Sequence, residues 1–179
     1  MKRLSVIICT HNPVPDYLQR VLGALAAQTL PLSQWELLLI DNASDKPIEP
    51  RFDLSWHPRG RTVHEETLGL TPARLRGIAE SDGDILVYVD DDNLLAPDYL
   101  QRAHALLAAH PDLAAIGAGA LEPEFAAPPS RELRPYLPLL ALRSHPAAAW
   151  SRNPSDAACV PWGAGLCVTR EAAQACVQL

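Results

Sequence analysis

Three adjacent carboxylates, Asp90, Asp91 and Asp92, followed by Asn93, close the apolar run Ile85-Leu86-Val87-Tyr88-Val89. Like charges this close repel, and at the end of a buried strand they are poorly solvated, so something cationic should compensate them. An extended chain would point Asp90 and Asp92 the same way, about 6.6 Å apart. Carboxylate oxygens so placed suit Mg²⁺ or Mn²⁺, which in turn hold phosphates. An acidic turn that caps a following helix is the plainer reading of such a triplet. Two further apolar runs end in unusual polar residues. Residues 4–9 lead into Cys9-Thr10-His11-Asn12, and residues 35–40 lead into Asp41-Asn42. Asp41 is placed to accept hydrogen bonds from a base or ribose, although Asp-Asn-Ala-Ser is also good turn chemistry. Arg74 and Arg76 stand near the start of a helical pattern; one could meet a phosphate or the acidic triplet, and Arg76 suits a solvated face. Pro161-Trp162-Gly163-Ala164-Gly165 sets an aromatic face, on which a sugar can stack, beside glycines that allow close backbone approach.

These residues need elements to hold them. Leu4 to Cys9 is β-branched and apolar, as a buried parallel strand should be. Tyr17, Leu18, Val21, Leu22 and Leu25 recur at helical spacing, which predicts a helix from Pro15 to about Gln28. Trp35 to Ile40 reads as a second strand, residues 43–61 as loop, and Thr62 to His64 as a short edge strand. A helix with Pro72 at its first position spans Thr71 to Glu80, Ile85 to Val89 is a strand, and Pro97 to Ala109 is a helix. Leu113 to Ile116 is a fifth apolar run. Eight prolines break up residues 122–161, where only Arg131 to Arg143 suggests a short helix; Gly165 to Thr169 reads as a returning strand and Arg170 to Leu179 as a last helix. Strands alternating with helices imply a mostly parallel, doubly wound α/β sheet, whose ligands sit at the carboxyl ends of the strands.

Composition removes several classes. The chain has 179 residues, with 15 Lys plus Arg against 21 Asp plus Glu, a net charge of −6. An acidic chain without a basic run is a poor phosphate-backbone binder, which argues against nucleic acid. Hydrophobic residues at 48% and charged residues at 20% fit a packed domain. The first apolar run is too short for a signal-peptide core, and no stretch is long enough to span a bilayer. Cys9, Cys159, Cys167 and Cys176 have no C-x-x-C spacing, so reduced thiols are expected. The expectation is a cytoplasmic protein, free or associated peripherally with the inner face of a membrane.

Taken in order, residues 5–12, Gln28-Thr29, residues 36–44, Gly69 with Ala73-Arg74, and residues 89–93 with Pro97-Asp98-Tyr99-Leu100 resemble glycosyltransferase family 2. The resemblance covers roughly residues 3–120 and resumes at Pro161 to Arg170. It implies a GT-A fold, a Rossmann-like, mostly parallel sheet with helices on both faces. It also implies a nucleotide-diphosphosugar donor, UDP-sugar by preference, a D-x-D metal motif, and a glycan, lipid-linked or small-molecule acceptor. By that resemblance Cys9, Thr10, His11 and Asn12 contact the nucleotide, Asp41 binds the base, and Arg74 lies near the diphosphate. Asp90 and Asp91 belong to the donor site, Asp92 is the metal ligand with help from Asp90, and Trp162, Gly163, Ala164 and Gly165 line the sugar and acceptor pocket. The whole chain is expected to be one domain, with residues 1–120 binding the nucleotide sugar and residues 121–179 forming the donor and acceptor side.

There are departures. The family often has Pro-Thr-Tyr-Asn where Cys9-Thr10-His11-Asn12 stands here, and Asn where Leu75 stands. Inverting members carry an acidic base well after the glycine segment. Here only Glu171 follows Gly165, so the base is expected beyond residue 179 or absent, in a chain that is either truncated or a natural short form. A module that binds a nucleotide sugar without turning it over is the alternative. A nucleotidyltransferase fits less well, because residues 11–15 after the first strand contain neither glycine nor Lys or Arg.

Overall fold

The computed structural model describes residues 2–125, 127–140, 142–151, 156 and 159–177. Pro154 and the predicted last two residues of the final helix, Gln178 and Leu179, lie outside them. The chain runs β1 (Leu4–Thr10), α1 (Pro15–Ala26), a 3₁₀ turn (Leu32–Gln34), β2 (Trp35–Asn42), β3 (Gly60–Glu65), α2 (Leu70–Glu80), β4 (Ile85–Asp90) and α3 (Tyr99–Ala109). Then follow β5 (Ala115–Ile116), β6 (Ala120–Leu121), a 3₁₀ helix (Arg134–Leu139), β7 (Arg143–Ser144), β8 (Cys167–Thr169) and α4 (Arg170–Val177).

Six strands form one sheet in the order β3-β2-β1-β4-β8-β5. The first four are parallel; β8 runs antiparallel to both β4 and β5. The chain builds outward from β1 to β3, then returns to add β4 on the other side of β1. The strand order therefore reverses between β1 and β4, the place where open α/β sheets bind ligands.

Both faces of the sheet are covered, which explains the near-continuous apolar strands. On one face Val6, Ile8, Leu37, Leu39, Val87 and Val89 pack with Leu18, Val21, Leu22 and Leu25 of α1 and Leu100, Ala103 and Leu107 of α3. On the other, Ile7, Leu38, Ile40, Leu86 and Tyr88 pack with Ala73 of α2 and Ala173 of α4. The alternation along each strand thus divides its residues between two helical layers.

Several boundaries shift for local reasons. α2 begins one residue early, so Pro72 is its third residue, still within the turn whose N–H groups have no helical acceptor. α3 starts at Tyr99 rather than Pro97, because the carbonyls of Ala96 and Pro97 turn toward Gln28 and Thr29. The Gln28 amide donates to Ala96 O at 2.8 Å, its Oε1 accepts from Leu100 N at 3.0 Å, and Thr29 N–H donates to Pro97 O at 2.8 Å. The helix expected over Arg131 to Arg143 is only the six-residue 3₁₀ helix. Pro135 and Pro138 have no N–H to extend an α-helical ladder.

Candidate functional site

The carboxyl ends of β1, β2 and β4 are tied together by their own side chains. The buried Thr10 hydroxyl donates to Asp91 Oδ2. His11 Nδ1 lies 2.8 Å from the Asn42 carbonyl, an acceptor only, so the ring donates there. Asn12, at φ 49°, accepts from Asp45 N at 3.0 Å through Oδ1, and its own N–H donates to Ser44 Oγ at 2.9 Å. Asn42 is buried and organises the next loop: Nδ2 donates to Thr67 O at 2.7 Å, and Oδ1 accepts from Gly69 N at 2.7 Å, just ahead of α2.

The acidic triplet does not continue the strand. β4 ends at Asp90, and Asn93 N–H donates back to Asp90 O at 3.2 Å, which places Asp91 and Asp92 in a turn. The expected same-side alternation of Asp90 and Asp92 is therefore wrong. Asn93 Nδ2 brings the two carboxylates together instead, 3.1 Å from Asp90 Oδ2 and 2.9 Å from Asp92 Oδ1. Arg74, on α2, reaches to 3.9 Å of Asp90 and lies 5.4 Å from the Tyr88 ring centroid. Arg76 points elsewhere, to Glu80 at 2.9 Å along its own helix.

Charge at this end is unbalanced. Burial raises the Asp90 carboxyl above its ordinary range; Arg74 opposes this and the neighbouring Asp92 and Asp91 reinforce it. Burial also pushes the Cys9 thiol up to about 12, against Arg74 and with Asp90 and Asp91, so Cys9 stays protonated and is not a nucleophile. A divalent cation would relieve the carboxylate excess, and oxygen donors from Asp90 and Asp92 suit Mg²⁺ or Mn²⁺. The donor set fits the ion.

Asp41 is buried at the end of β2, beside a cavity of about 190 Å³. Its Oδ1 accepts from Ser44 N at 3.3 Å, and its Oδ2 lies 3.3 Å from His64 Nδ1. His64 Nε2 in turn lies 2.5 Å from Glu49 Oε1. Among the described residues, Asp41, Glu49 and His64 are the one group of three such side chains whose ligand atoms lie within 4.8 Å of one another. Here His64 itself bridges the two carboxylates, whereas at the triplet the one ion pair among the described residues is Arg74 with Asp90. A larger concavity over residues 49–55 and 60–62 touches none of the sequence-predicted site residues.

The Pro-Trp-Gly segment closes the site from the β8 side. Gly163 faces Arg74: a Cβ there would sit 3.4 Å from Arg74 Nη2. Gly165 is at φ 71°, its carbonyl accepts from the Tyr99 hydroxyl, and a Cβ would lie 2.9 Å from that oxygen. Glycine is required by conformation and by space. Trp162 and Ala164 are half-buried beside them. Glu171 is exposed in the first turn of α4.

Residues 5–145 match the family model described as Glycosyl transferase family 2. The chain belongs to that family. It is 33% identical over 102 residues to glycosyltransferase AglE of Haloferax volcanii, covering 55% of this chain and 33% of that protein. It is 30% identical over 109 residues to the succinoglycan biosynthesis protein ExoW of Rhizobium meliloti, covering 58% and 34%. The chain thus spans about a third of the length of these relatives. Among solved structures, TarS of S. aureus superposes with a TM-score of 0.61 at 20% identity, over 72% of this chain and 38% of that one. The mannosyltransferase PcManGT from Pyrobaculum calidifontis, in complex with GDP-Man and Mn²⁺, gives 0.59 at 28% identity, over 67% and 36%. The α/β fold is that of GT-A glycosyltransferases.

Sequence reasoning did not single out His64, Glu49 or Asn93. His64 stands directly opposite Asp41 in the β2–β3 register, so the strand pairing would have found it, but Glu49 comes from an irregular loop and carries no such signal. Asn93 stood beside the triplet, and only the turn reveals that it bridges the two aspartates.

Proposed function

We propose that this chain binds a nucleotide-diphosphate sugar, with UDP as first choice, across the carboxyl ends of β1, β2 and β4 and contributes to transfer of the sugar to an acceptor hydroxyl with inversion. The observation that carries this is the carboxylate excess at Asp90, Asp91 and Asp92 with Arg74 beside it, at the reversal of strand order. Asp41 is an acceptor only, so it selects a base edge that offers N–H donors, as uracil and guanine do. β1 and the loop after it hold the nucleoside through Cys9, Thr10, His11 and Asn12, while Arg74 orients the diphosphate. Asp92 and Asp90 would hold Mg²⁺ or Mn²⁺, which when bound offsets the charge that builds on a departing diphosphate. Trp162, Gly163, Ala164 and Gly165 let the sugar approach the backbone, and residues 121–179 supply the acceptor side. The acceptor is a glycan, a lipid-linked saccharide or a small molecule.

The GDP-Man and Mn²⁺ bound by PcManGT support a metal-assisted nucleotide-sugar site and make GDP the second nucleotide to try. Calorimetric titration of UDP, then GDP, with Mn²⁺ and with EDTA, on wild type and on Asp92→Ala tests the reading. Binding is expected with Mn²⁺ only, and its loss in the variant. Absence of binding by both nucleotides under both conditions overturns it.

A further inference from the structure

His64 is built into the carboxyl end of the sheet in a way that base recognition by Asp41 alone does not explain. It stands on β3 directly opposite Asp41 of β2. Its Nδ1 lies 3.3 Å from Asp41 Oδ2 and its Nε2 lies 2.5 Å from Glu49 Oε1, so each ring nitrogen faces a carboxylate oxygen. Both carboxylates are held from behind. Asp41 is buried, and its Oδ1 accepts from Ser44 N at 3.3 Å. Beside Glu49, Ile48 is fully buried in the core, and its carbonyl accepts from Arg51 N at 2.9 Å and from Phe52 N at 3.2 Å, which closes a turn around Glu49.

A neutral imidazole has one N–H and one lone pair, and only the imidazolium donates from both nitrogens. Between two carboxylates the two forms are therefore not equivalent. The imidazolium satisfies Asp41 and Glu49 together and sets one positive charge against two negative ones. The neutral ring donates to one carboxylate and turns a lone pair on the other. The shorter contact, to Glu49, takes the single N–H, so Asp41 is the one left facing the lone pair. No cation substitutes for the missing proton. Glu65 and Glu66 line the cavity beside Asp41, and among the described residues that line it there is no Lys or Arg. In the flanking segments Arg51 lies over the Phe52 ring at 5.5 Å, Arg61 is paired with Glu36 at 2.9 Å, and Lys46 is exposed and does not line the cavity. Asp45 accepts from Asn12 Nδ2 at 3.2 Å, and His11 donates to the Asn42 carbonyl. A base that closes the cavity removes water, which penalises two uncompensated carboxylates more than two that share an imidazolium. The diphosphate adds further negative charge. All of these favour the imidazolium when a nucleotide is bound.

We propose that His64 is a positioning residue for the donor nucleotide: as the imidazolium it holds Asp41 and Glu49 together, so that Asp41 keeps its remaining lone pairs on the N–H edge of the base, and nucleotide binding takes up a proton at His64. This role rests on the nucleotide site proposed above and adds to it a residue of β3 and a proton. Because the coupling is reciprocal, affinity is highest at the acid side of the range in which imidazole changes charge and falls as pH rises through it.

Calorimetric titration of UDP, or of GDP if wild type binds only that, in saturating Mn²⁺ from about pH 5.5 to 8 tests this on wild type, His64→Gln and Glu49→Gln. Both positions are exposed, so both variants are expected to fold, as far-UV circular dichroism checks. Wild-type affinity should fall about tenfold across the range, the difference between a charged and a neutral donor on Asp41. His64→Gln cannot titrate and should bind at the weaker level throughout. Glu49→Gln offers an amide N–H to Nε2, which leaves Nδ1–H of a neutral ring for Asp41, so this variant should keep the stronger level at pH 8. Asp90 titrates alike in all three proteins, so the ratio of wild type to variant at each pH isolates His64. Repeating the titration in buffers of different ionisation enthalpy should show proton uptake by wild type and none by His64→Gln. Parallel pH profiles of wild type and His64→Gln overturn the proposal and leave the nucleotide site standing, as does weaker binding by Glu49→Gln than by wild type at pH 8. Failure of wild type to bind either nucleotide overturns both.

Discussion

The two ends of the sheet both carry clusters of charge, and they are built on opposite principles. At the amino ends, Glu36 is almost fully buried, and it is fully matched. It accepts from the Ser5 hydroxyl at 2.6 Å, from Asp82 N at 2.7 Å and from Arg61 Nη1 at 2.9 Å, with Arg59 at 3.7 Å. Asp82 is paired with Arg59 at 2.7 Å, and Arg170 seals the corner through Gly83 O and the Ser81 hydroxyl. At the carboxyl ends, among the described residues, Asp90 has Arg74 at 3.9 Å, while Asp91 and Asp92 lean on the neutral donors Thr10 and Asn93. A network in which the buried carboxylate is matched holds strands, even with Arg59 Nη1 left without a partner among the described residues; an open one with excess charge of one sign is available to a ligand.

Deleting the buried carboxylate should separate the two ends most sharply. Glu36→Ala leaves the buried Ser5 hydroxyl and Asp82 N without their acceptor, beside two partly exposed arginines, and is expected to cost about 1–3 kcal/mol in urea unfolding. At the other end, Asp90→Asn should hold or raise the melting temperature, because it removes a carboxylate that burial disfavours, while Mn²⁺-dependent UDP binding falls at least about tenfold. A marked loss of stability in that variant would erase the distinction between the ends.

His64→Ala tests the Asp41 side. It removes the bridge to Glu49 and Asp41 and should weaken UDP binding by about tenfold with little change in folding, read by the same titration.

Acid should also act on the two ends in opposite directions. His57 is buried against Trp35 at a ring separation of 4.2 Å, and burial, aided by Arg59 and opposed by Glu36, lowers its pKa below the ordinary 6.5. The unfolded chain takes up this proton first, so the stability present above about pH 6.5 declines as pH falls through it toward the folded value. Asp90 has the reverse sign: its raised pKa favours the folded form at low pH, and that contribution is lost as pH rises through it. Unfolding curves of wild type and His57→Phe across pH 5 to 7.5 should differ in slope, with the variant flatter.

How much of this was legible follows from where each signal lives. The parallel strands, their helices and the three polar strand ends could be read because burial on both faces writes itself into a continuous apolar run, and a helix into its spacing. The 3₁₀ helix Arg134–Leu139 could be placed only roughly, within Arg131 to Arg143, since two prolines blur any helical period there. The direction of Asp92 could not be read, because a turn stabilised by one backbone hydrogen bond from Asn93 overrides the alternation of a strand.

The chain by itself determined which residues are available for chemistry and which element each one ends, because propensity, periodicity and capping act over a few neighbours. Tertiary structure alone decided the partnerships across the sheet: His64 against Asp41, Gly163 against Arg74, Thr10 against Asp91, and Glu36 against two arginines. Those pairings depend on strand order and register, and strand order and register are set by how two helical layers cover the sheet, which no stretch of a dozen residues contains.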